Sequence, residues 1–159
     1  MITRTSHTEI VLLLRWNVAG GTLTPAALLK LAPYITRYAD TFNVRVHAVG
    51  GTADHIHVLC DIPGDMTADK VTHELQPATA RYLRDVLGAK GFAWGTASVV
   101  SVSPSEVNAA TAYLSEHESR HERGECIEAW EGGGESGAAT AERAGDSLPS
   151  WLTDAMGGR

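Results

Sequence analysis

The chain has 159 residues, of which 43% are hydrophobic and 20% charged, and its 13 basic and 19 acidic side chains give a net charge of −6. This length and composition are typical of a single globular domain and exclude global disorder. No apolar run approaches the roughly 20 residues that a membrane span requires, and the polar N-terminus does not resemble a secretion signal. We therefore expect a cytoplasmic protein with no membrane partner.

The acidic charge is concentrated at the end of the chain. Residues 1–123 carry 11 basic and 12 acidic side chains, whereas residues 124–159 carry two basic and seven acidic ones. The second segment is also rich in Gly, Ser and Ala, so it buries too little apolar surface to offset the entropy of ordering it. We predict one folded domain over residues 1–123 and a flexible acidic tail over residues 124–159.

The hydrophobic pattern of residues 1–123 predicts alternating strands and helices. Apolar runs and period-two alternation predict strands over residues 10–14, 44–48, 55–62 and within 92–102. Helical periodicity predicts helices from Thr24 and from Thr67, and the internal residues Pro33 and Pro77 predict a kink or a break in each. Ser103 followed by Pro104 predicts an N-cap for a last helix that runs to about His121. This order predicts an α+β sandwich, with helices packed on a mostly antiparallel sheet.

Two histidines share one face of the third predicted strand. Side chains alternate between the two faces of a strand, so His55 and His57 point together while Ile56 and Val58 point the other way. The second face is wholly apolar and belongs in the core, which fixes the register of the strand. Two imidazoles on one face can bind a single metal ion, although two surface histidines would give the same pattern and are the favoured interpretation of this pair alone.

The last predicted helix carries a second group of chemically active side chains. Tyr113 and His117 are four residues apart and share a helical face, and His121 follows one turn later. A divalent ion held by His55, His57 and His117 would polarise a phosphodiester while the Tyr113 phenol attacks it. Taken singly, Tyr113 is better explained as a partly buried helix tyrosine whose hydroxyl is hydrogen-bonded, and His117 as part of a solvated helix end.

The sequence GGTADHIHVL over residues 50–59 resembles the DHxHxL signature of the single-tyrosine HUH transposases, the small insertion-sequence and REP-associated kind. The segments FAW at 92–94 and SVSPSEV at 101–107, followed by Tyr113 and His121, are similar to the later block of that family in order and spacing. The resemblance covers residues 7–121 and implies a ferredoxin-like or RRM-like HUH fold.

The resemblance also implies an activity, which is the cleavage and strand transfer of single-stranded DNA at hairpin-marked ends through a 5′-phosphotyrosine. It implies that Tyr113 is the nucleophile, that His55 and His57 are metal ligands, that Mg²⁺ or Mn²⁺ is the cofactor, and that the protein forms a homodimer. At the third ligand position the family usually has glutamine or asparagine, whereas this chain has His117. Three nitrogen donors favour Mn²⁺, Co²⁺, Ni²⁺ or Zn²⁺ over Mg²⁺.

The basic residues that the family uses to bind DNA are partly missing. The usual lysine of the second helix is replaced by Gln76, and the segment after the first strand has lost its lysine. The remaining candidates for DNA contacts are Arg15, Arg81, Arg84 and Trp94, which could bind phosphates or stack on a base.

Two other functions stay open at this point. The missing lysines and the acidic tail favour a host-adopted HUH nuclease or DNA-binding module that no longer moves itself. The histidines alone also suit a metal-dependent hydrolytic domain, in which a site of three histidines activates water and Tyr113 is incidental. Residues 1–123 are nearly neutral, so the net charge does not exclude DNA, and deletion of residues 124–159 would test whether the tail competes with it.

Overall fold

The computed structural model describes residues 10–131. Its four strands form one antiparallel sheet in the order β2-β3-β1-β4. The strands are β1 (Ile10–Gly20), β2 (Arg45–Gly51), β3 (His55–Ile62) and β4 (Ala93–Ser101). The helices are α1 (Pro25–Asp40), α2 (Ala68–Asp85), α3 (Val107–Ser115), α4 (His117–Arg123) and the single turn α5 (Glu128–Glu131), with a 3-10 turn over Pro104–Glu106 before α3. The predicted α+β class and antiparallel sheet are confirmed.

Helices cover both faces of the sheet. α1 and α2 pack on one face, where the large apolar core contains Leu14, Trp16, Ile56 and Leu75. α3 and α4 pack on the other face, where a smaller apolar cluster joins the sheet to α3. The buried members of that cluster are Val11, Leu13, Leu59, Val102, Ala110, Tyr113 and Leu114. None of the helices within residues 10–131 is long and apolar enough to cross a membrane.

The third strand is buried along its whole length because β2 and β1 flank it and helices cover both of its faces. Ile56, Val58 and Cys60 point into the core under α1 and α2. Leu59 belongs to the cluster on the other face, and His55 and His57 lie on that same face. The two histidines are 2% and 0% exposed, so they are not a surface pair.

The register between β1 and β3 determines which polar side chains lie beside the histidines. Trp16 pairs with Ile56, and a slip of one residue would move both side chains out of the core. The same register places Arg15 opposite His57. The apolar core under α1 and α2 therefore fixes an arginine next to the histidines on the opposite face.

Both internal prolines are tolerated without ending a helix. α1 continues through Pro33 and α2 continues through Pro77. Of the two predicted outcomes, a kink or a break, the break does not occur. A proline inside a helix costs about 3 kcal/mol. Each helix buries apolar residues on both sides of its proline, such as Leu31 and Ile35 in α1, and this burial offsets the cost.

The last predicted helix is divided in the structure. α3 ends at Ser115, and Glu116 leaves helical geometry with φ −108° and ψ 11° before α4 begins at His117. Ser103 makes no capping hydrogen bond through its side chain, and its hydroxyl lies 3.0 Å from that of Ser105. The prediction of a continuous helix is therefore wrong, whereas Ser103 does stand at the N-cap position before Pro104, without a capping hydrogen bond from its side chain.

Residues that follow the predicted domain boundary at residue 123 still contact the folded domain. α5 returns to the sheet face that α3 and α4 cover, and its last residue, Glu131, is buried. Residues 132–159, which make up most of the predicted tail, and residues 1–9 lie outside the described residues. The division into a domain and a flexible tail stays a prediction.

Gly50 allows α3 to approach β2 closely, because a Cβ atom at this position would overlap the backbone carbonyl of Leu114. We expect Gly50→Ala to push α3 away from the sheet and to speed hydrogen–deuterium exchange of the α3 amides. Overpacking of this kind costs about 1–3 kcal/mol of unfolding free energy. In the control, Gly88→Ala, an added Cβ meets no atom within 4 Å, although its φ of +72° also carries strain. Unchanged exchange in α3 of the Gly50 variant would contradict this account.

Candidate functional site

Four histidines converge on the sheet face that α3 and α4 cover, and we call them the histidine cluster: His55, His57, His117 and His121. The first two come from β3 and the other two from α4. The ring centroids of His57 and His117 are 4.7 Å apart, those of His55 and His121 are 4.8 Å apart, and those of His117 and His121 are 4.4 Å apart. The structure thus brings together the three histidines singled out in the sequence, with His121 as a fourth.

The Glu131 carboxylate lies at the centre of the histidine cluster. Its Oε2 atom is 3.2 Å from His57 Nε2 and 3.4 Å from His55 Nε2. Its Oε1 atom is 3.1 Å from His117 Nε2 and 3.2 Å from His121 Nε2. All four imidazoles therefore direct the same ring nitrogen at one point in space.

Sequence reasoning missed Glu131 because it lies in the segment predicted to be a tail. A sequence signal for the contact is the pair Ile127 and Trp130, two apolar residues at helical spacing just before Glu131. Trp130 packs edge-on against Tyr113 with ring centroids 5.3 Å apart. This contact holds the short α5 turn against α3.

Arg15 attaches the α5 turn to the sheet. Its Nη1 donates to Glu131 Oε2 at 3.0 Å and to the Glu131 backbone carbonyl at 2.8 Å. Its Nε donates to Asn17 Oδ1 at 3.1 Å, which fixes the direction of the guanidinium group. A predicted DNA contact therefore lies at the site and is paired with a carboxylate of the same chain.

The charges at the site follow from burial and from hydrogen bonding. Burial opposes ionisation of Glu131, but the histidines around it, His117 foremost, and the Tyr113 hydroxyl outweigh burial and lower the pKa of Glu131 well below its ordinary value. Burial lowers the pKa of His57 to about 4 and also lowers the pKa of His121. The neutral imidazole is the form that binds metal ions.

Asp54 orients the first histidine of the cluster. His55 Nδ1 lies 2.6 Å from Asp54 Oδ1, and Thr52 donates its hydroxyl to the same oxygen at 2.6 Å. These hydrogen bonds, from Thr52 first and then from His55, lower the pKa of Asp54. An ionised carboxylate only accepts, so His55 donates from Nδ1 to Asp54 and its Nε2 faces the cluster.

The donors of the cluster fit a metal ion. His55 Nε2 is buried and has no hydrogen-bond partner among the described residues, although it points at the centre of the cluster. One ligand atom each from His55, His117, His121 and Glu131 lie within 4.8 Å of one another. Imidazole with one carboxylate is a donor set typical of Zn²⁺ and other transition metals.

Tyr113 is held inside the site. It is 1% exposed, and its hydroxyl donates to Glu131 Oε1 and accepts a hydrogen bond from the Ile127 backbone N–H at 3.2 Å. The Arg120 guanidinium carbon lies 5.2 Å from the centre of the Tyr113 ring. Burial, followed by the hydrogen bond to Glu131, raises the pKa of Tyr113. The phenol is thus protonated and covered in this arrangement.

The other predicted DNA contacts lie on the opposite face of the sheet. Arg81, Arg84 and Trp94 border one cavity of about 410 Å³ beside α2. Arg84 donates to the Phe92 carbonyl at 2.9 Å, and Trp94 Nε1 donates to Thr79 Oγ1 at 2.8 Å. The structure therefore brings these three residues together, but away from the histidine cluster.

Residues 7–117 of this chain match the model of the family described as IS200-like transposases. No curated protein matches the chain with significance. His121 and Glu131 lie beyond the matched segment, so they are features of the site that the family match does not account for.

Two solved structures are similar in fold. A candidate transposase from Deinococcus radiodurans R1 is 16% identical with a TM-score of 0.56, and the match covers 74% of this chain and 98% of that chain. A REP-associated tyrosine transposase bound to a REP hairpin is 13% identical with a TM-score of 0.53, and the match covers 74% of this chain and 70% of that chain. At these identities the similarity establishes the fold.

The contact between Asp54 and His55 predicts the effect of removing the carboxylate. We expect Asp54→Ala to weaken Zn²⁺ binding by about 10–100-fold, because His55 loses the group that fixes its ring. The measurement is a competitive titration of the protein with Zn²⁺ against a chromophoric chelator. Asp85→Ala, an exposed aspartate at the end of α2, is the control and should bind Zn²⁺ like the unmodified protein. Equal affinities for the two variants would contradict the positioning role.

The position of His117 predicts that it is a third nitrogen ligand. His117→Ala, like His55→Ala and His57→Ala, should lower the affinity for Mn²⁺ and Zn²⁺ by at least about tenfold. His73→Ala removes an exposed imidazole of α2 and serves as the matched control. If His117→Ala keeps the metal affinity of that control, the assignment of His117 is wrong.

Proposed function

The chain belongs to the IS200-like transposase family, a group of single-tyrosine HUH enzymes, and we propose that it cleaves and rejoins single-stranded DNA through a phosphotyrosine intermediate. The observation that carries this proposal is the convergence of four imidazoles and the Tyr113 hydroxyl on the position that the Glu131 carboxylate occupies. A phosphate oxygen of DNA is likewise an anionic acceptor, so a phosphate at this position would lie beside Tyr113, Arg15 and the imidazoles that are proposed to hold a metal ion.

His55, His57 and His117 are proposed to hold a divalent metal ion through their Nε2 atoms. When bound, such an ion polarises the scissile phosphate and neutralises the charge that develops on its oxygens. The nitrogen donors favour Mn²⁺, Co²⁺, Ni²⁺ or Zn²⁺ over Mg²⁺. Asp54 keeps the His55 ring in the tautomer that this role requires.

Tyr113 is proposed to be the nucleophile. Its phenolic oxygen forms a bond to phosphorus while the bond between phosphorus and the 3′ oxygen breaks. The phenol loses its proton and the departing 3′ oxygen gains one, so the products are a 5′-phosphotyrosine and a free 3′-hydroxyl. Attack by a second 3′-hydroxyl reverses these steps and joins a new strand.

The proposed partner is single-stranded DNA that carries a hairpin. The family supports a DNA partner, and one relative of similar fold is a tyrosine transposase bound to a REP hairpin. Arg15 supplies a positive charge next to the cluster for the backbone at the scissile position. A homodimer stays a prediction.

One observation favours a second function. Tyr113 is buried and hydrogen-bonded, and three histidines with one glutamate form the donor set of a metal-binding domain that needs no tyrosine. In that case the protein would bind Zn²⁺ tightly and form no covalent adduct with DNA. A host-adopted module would bind hairpin DNA without cleaving it.

The test is the formation of a covalent adduct. The full chain is incubated with Mn²⁺ and end-labelled single-stranded oligonucleotides that carry a hairpin, and the products are separated on a denaturing gel. We expect a protein-linked label that Tyr113→Phe abolishes, because phenylalanine keeps the ring but lacks the attacking oxygen. Tyr38→Phe, a half-buried tyrosine of α1, is the matched control and should form the adduct normally. An adduct that persists in Tyr113→Phe would overturn the assignment of the nucleophile.

A further inference from the structure

The Glu131 carboxylate occupies the place where the proposed function brings the metal ion and the phosphate of DNA together. It touches the Nε2 atoms of the histidine cluster, accepts the hydroxyl proton of Tyr113 and pairs with Arg15. A carboxylate and a phosphate oxygen are both anionic acceptors, so they compete for the same donors. The described arrangement of the chain therefore has no room for a scissile phosphate at this position.

The segment that carries Glu131 also covers the nucleophile. Tyr113 is 1% exposed, and residues 124–131, which we call the C-terminal segment, supply the cover on the side of its hydroxyl. Ile127 donates its backbone N–H to the Tyr113 hydroxyl, and Trp130 packs against the ring. DNA can reach the phenolic oxygen only after this segment moves.

The C-terminal segment is attached in a way that permits such movement. The chain turns back at Gly124, which ends α4 with a φ of +68°, a value that glycine adopts readily. Residues 124–129 are exposed, and α5 is a single turn. An isolated turn of helix is not stable by itself in water, so the anchors are Trp130, Glu131 and their partners.

Glu131 also completes a ligand shell. A metal site with four protein ligands is closed, as in structural zinc sites, whereas a catalytic site keeps one position open for water or substrate. Glu131 lies within 3.4 Å of the Nε2 atoms of His55, His57 and His117, so it makes a fourth ligand beside the three proposed ones, and its removal leaves their three nitrogen donors. The same side chain thus accounts for both the closed donor set and the covered tyrosine.

We propose that Glu131 is a displaceable metal ligand that closes the site at rest, and that the phosphate of single-stranded DNA must replace it before Tyr113 can react. The ligand role depends only on the geometry of the cluster. The displacement by DNA rests on the proposed function. Glu131 thereby makes the C-terminal segment an inhibitor of the site that it covers.

The experiment compares Glu131→Gln with Glu128→Gln in the full chain. Glutamine keeps the size of the side chain but lacks the charge, and Glu128 is an exposed acidic residue of the same turn. Affinity for Zn²⁺ is measured by competitive titration, and the visible spectrum of Co²⁺-loaded protein reports the ligands directly. Circular dichroism and thermal melting verify that both variants are folded. Adduct formation with a hairpin-carrying oligonucleotide is then measured at saturating Mn²⁺.

We expect Glu131→Gln to weaken Zn²⁺ binding by about tenfold or more, to change the Co²⁺ spectrum, and to form the DNA adduct several-fold faster. Glu128→Gln should match the unmodified protein in all three measurements. An unchanged Zn²⁺ affinity and Co²⁺ spectrum in Glu131→Gln would overturn the ligand role. Loss of the adduct in Glu131→Gln alone, at saturating metal, would overturn displacement, because Glu131 would then be required for the reaction.

The two proposals fail in different ways. If no protein forms an adduct but Glu131→Gln still weakens Zn²⁺ binding, the proposed DNA chemistry is wrong and the ligand role of Glu131 stands. If the unmodified protein forms the adduct and Glu131→Gln changes neither metal binding nor adduct rate, the proposed function stands and this inference is wrong.

Discussion

The burial of β3 on both faces is the constraint on which the rest of the structure depends. Ile56 and Val58 must face the core under α1 and α2, so His55 and His57 are forced onto the opposite face and away from water. Buried imidazoles need polar partners, and α4 and α5 supply them. The apolar residues of β3 thus determine on which face of the sheet the histidine cluster is assembled.

The net charge of the protein does not show where its acidic side chains lie. The acidic C-terminal residues include Glu131, which is 9% exposed and lies among four histidines and Arg15. A carboxylate in this position balances the positive charge that a DNA phosphate would otherwise meet. Part of the acidity of the chain therefore lies at the site itself.

Local patterns in the sequence were sufficient to predict most of the fold and part of the site. Alternation in β3 identified His55 and His57, and helical spacing from Tyr113 identified His117. The break at Glu116 and the continuation through Pro33 depend on tertiary packing, which local propensity does not include. Glu131 was missed because its contact with β3 joins distant parts of the chain through a short turn with little apolar surface of its own.

The central claim is that Tyr113 becomes linked to the 5′ phosphate of a cleaved DNA strand. The most direct measurement is mass spectrometry of peptides from the protein after reaction with a hairpin-carrying oligonucleotide of known sequence. The account predicts a nucleotide attached to Tyr113 through its 5′ phosphate, together with release of the upstream strand as a free 3′-hydroxyl. A nucleotide attached to any other residue, or cleavage that leaves no modified peptide, would contradict it.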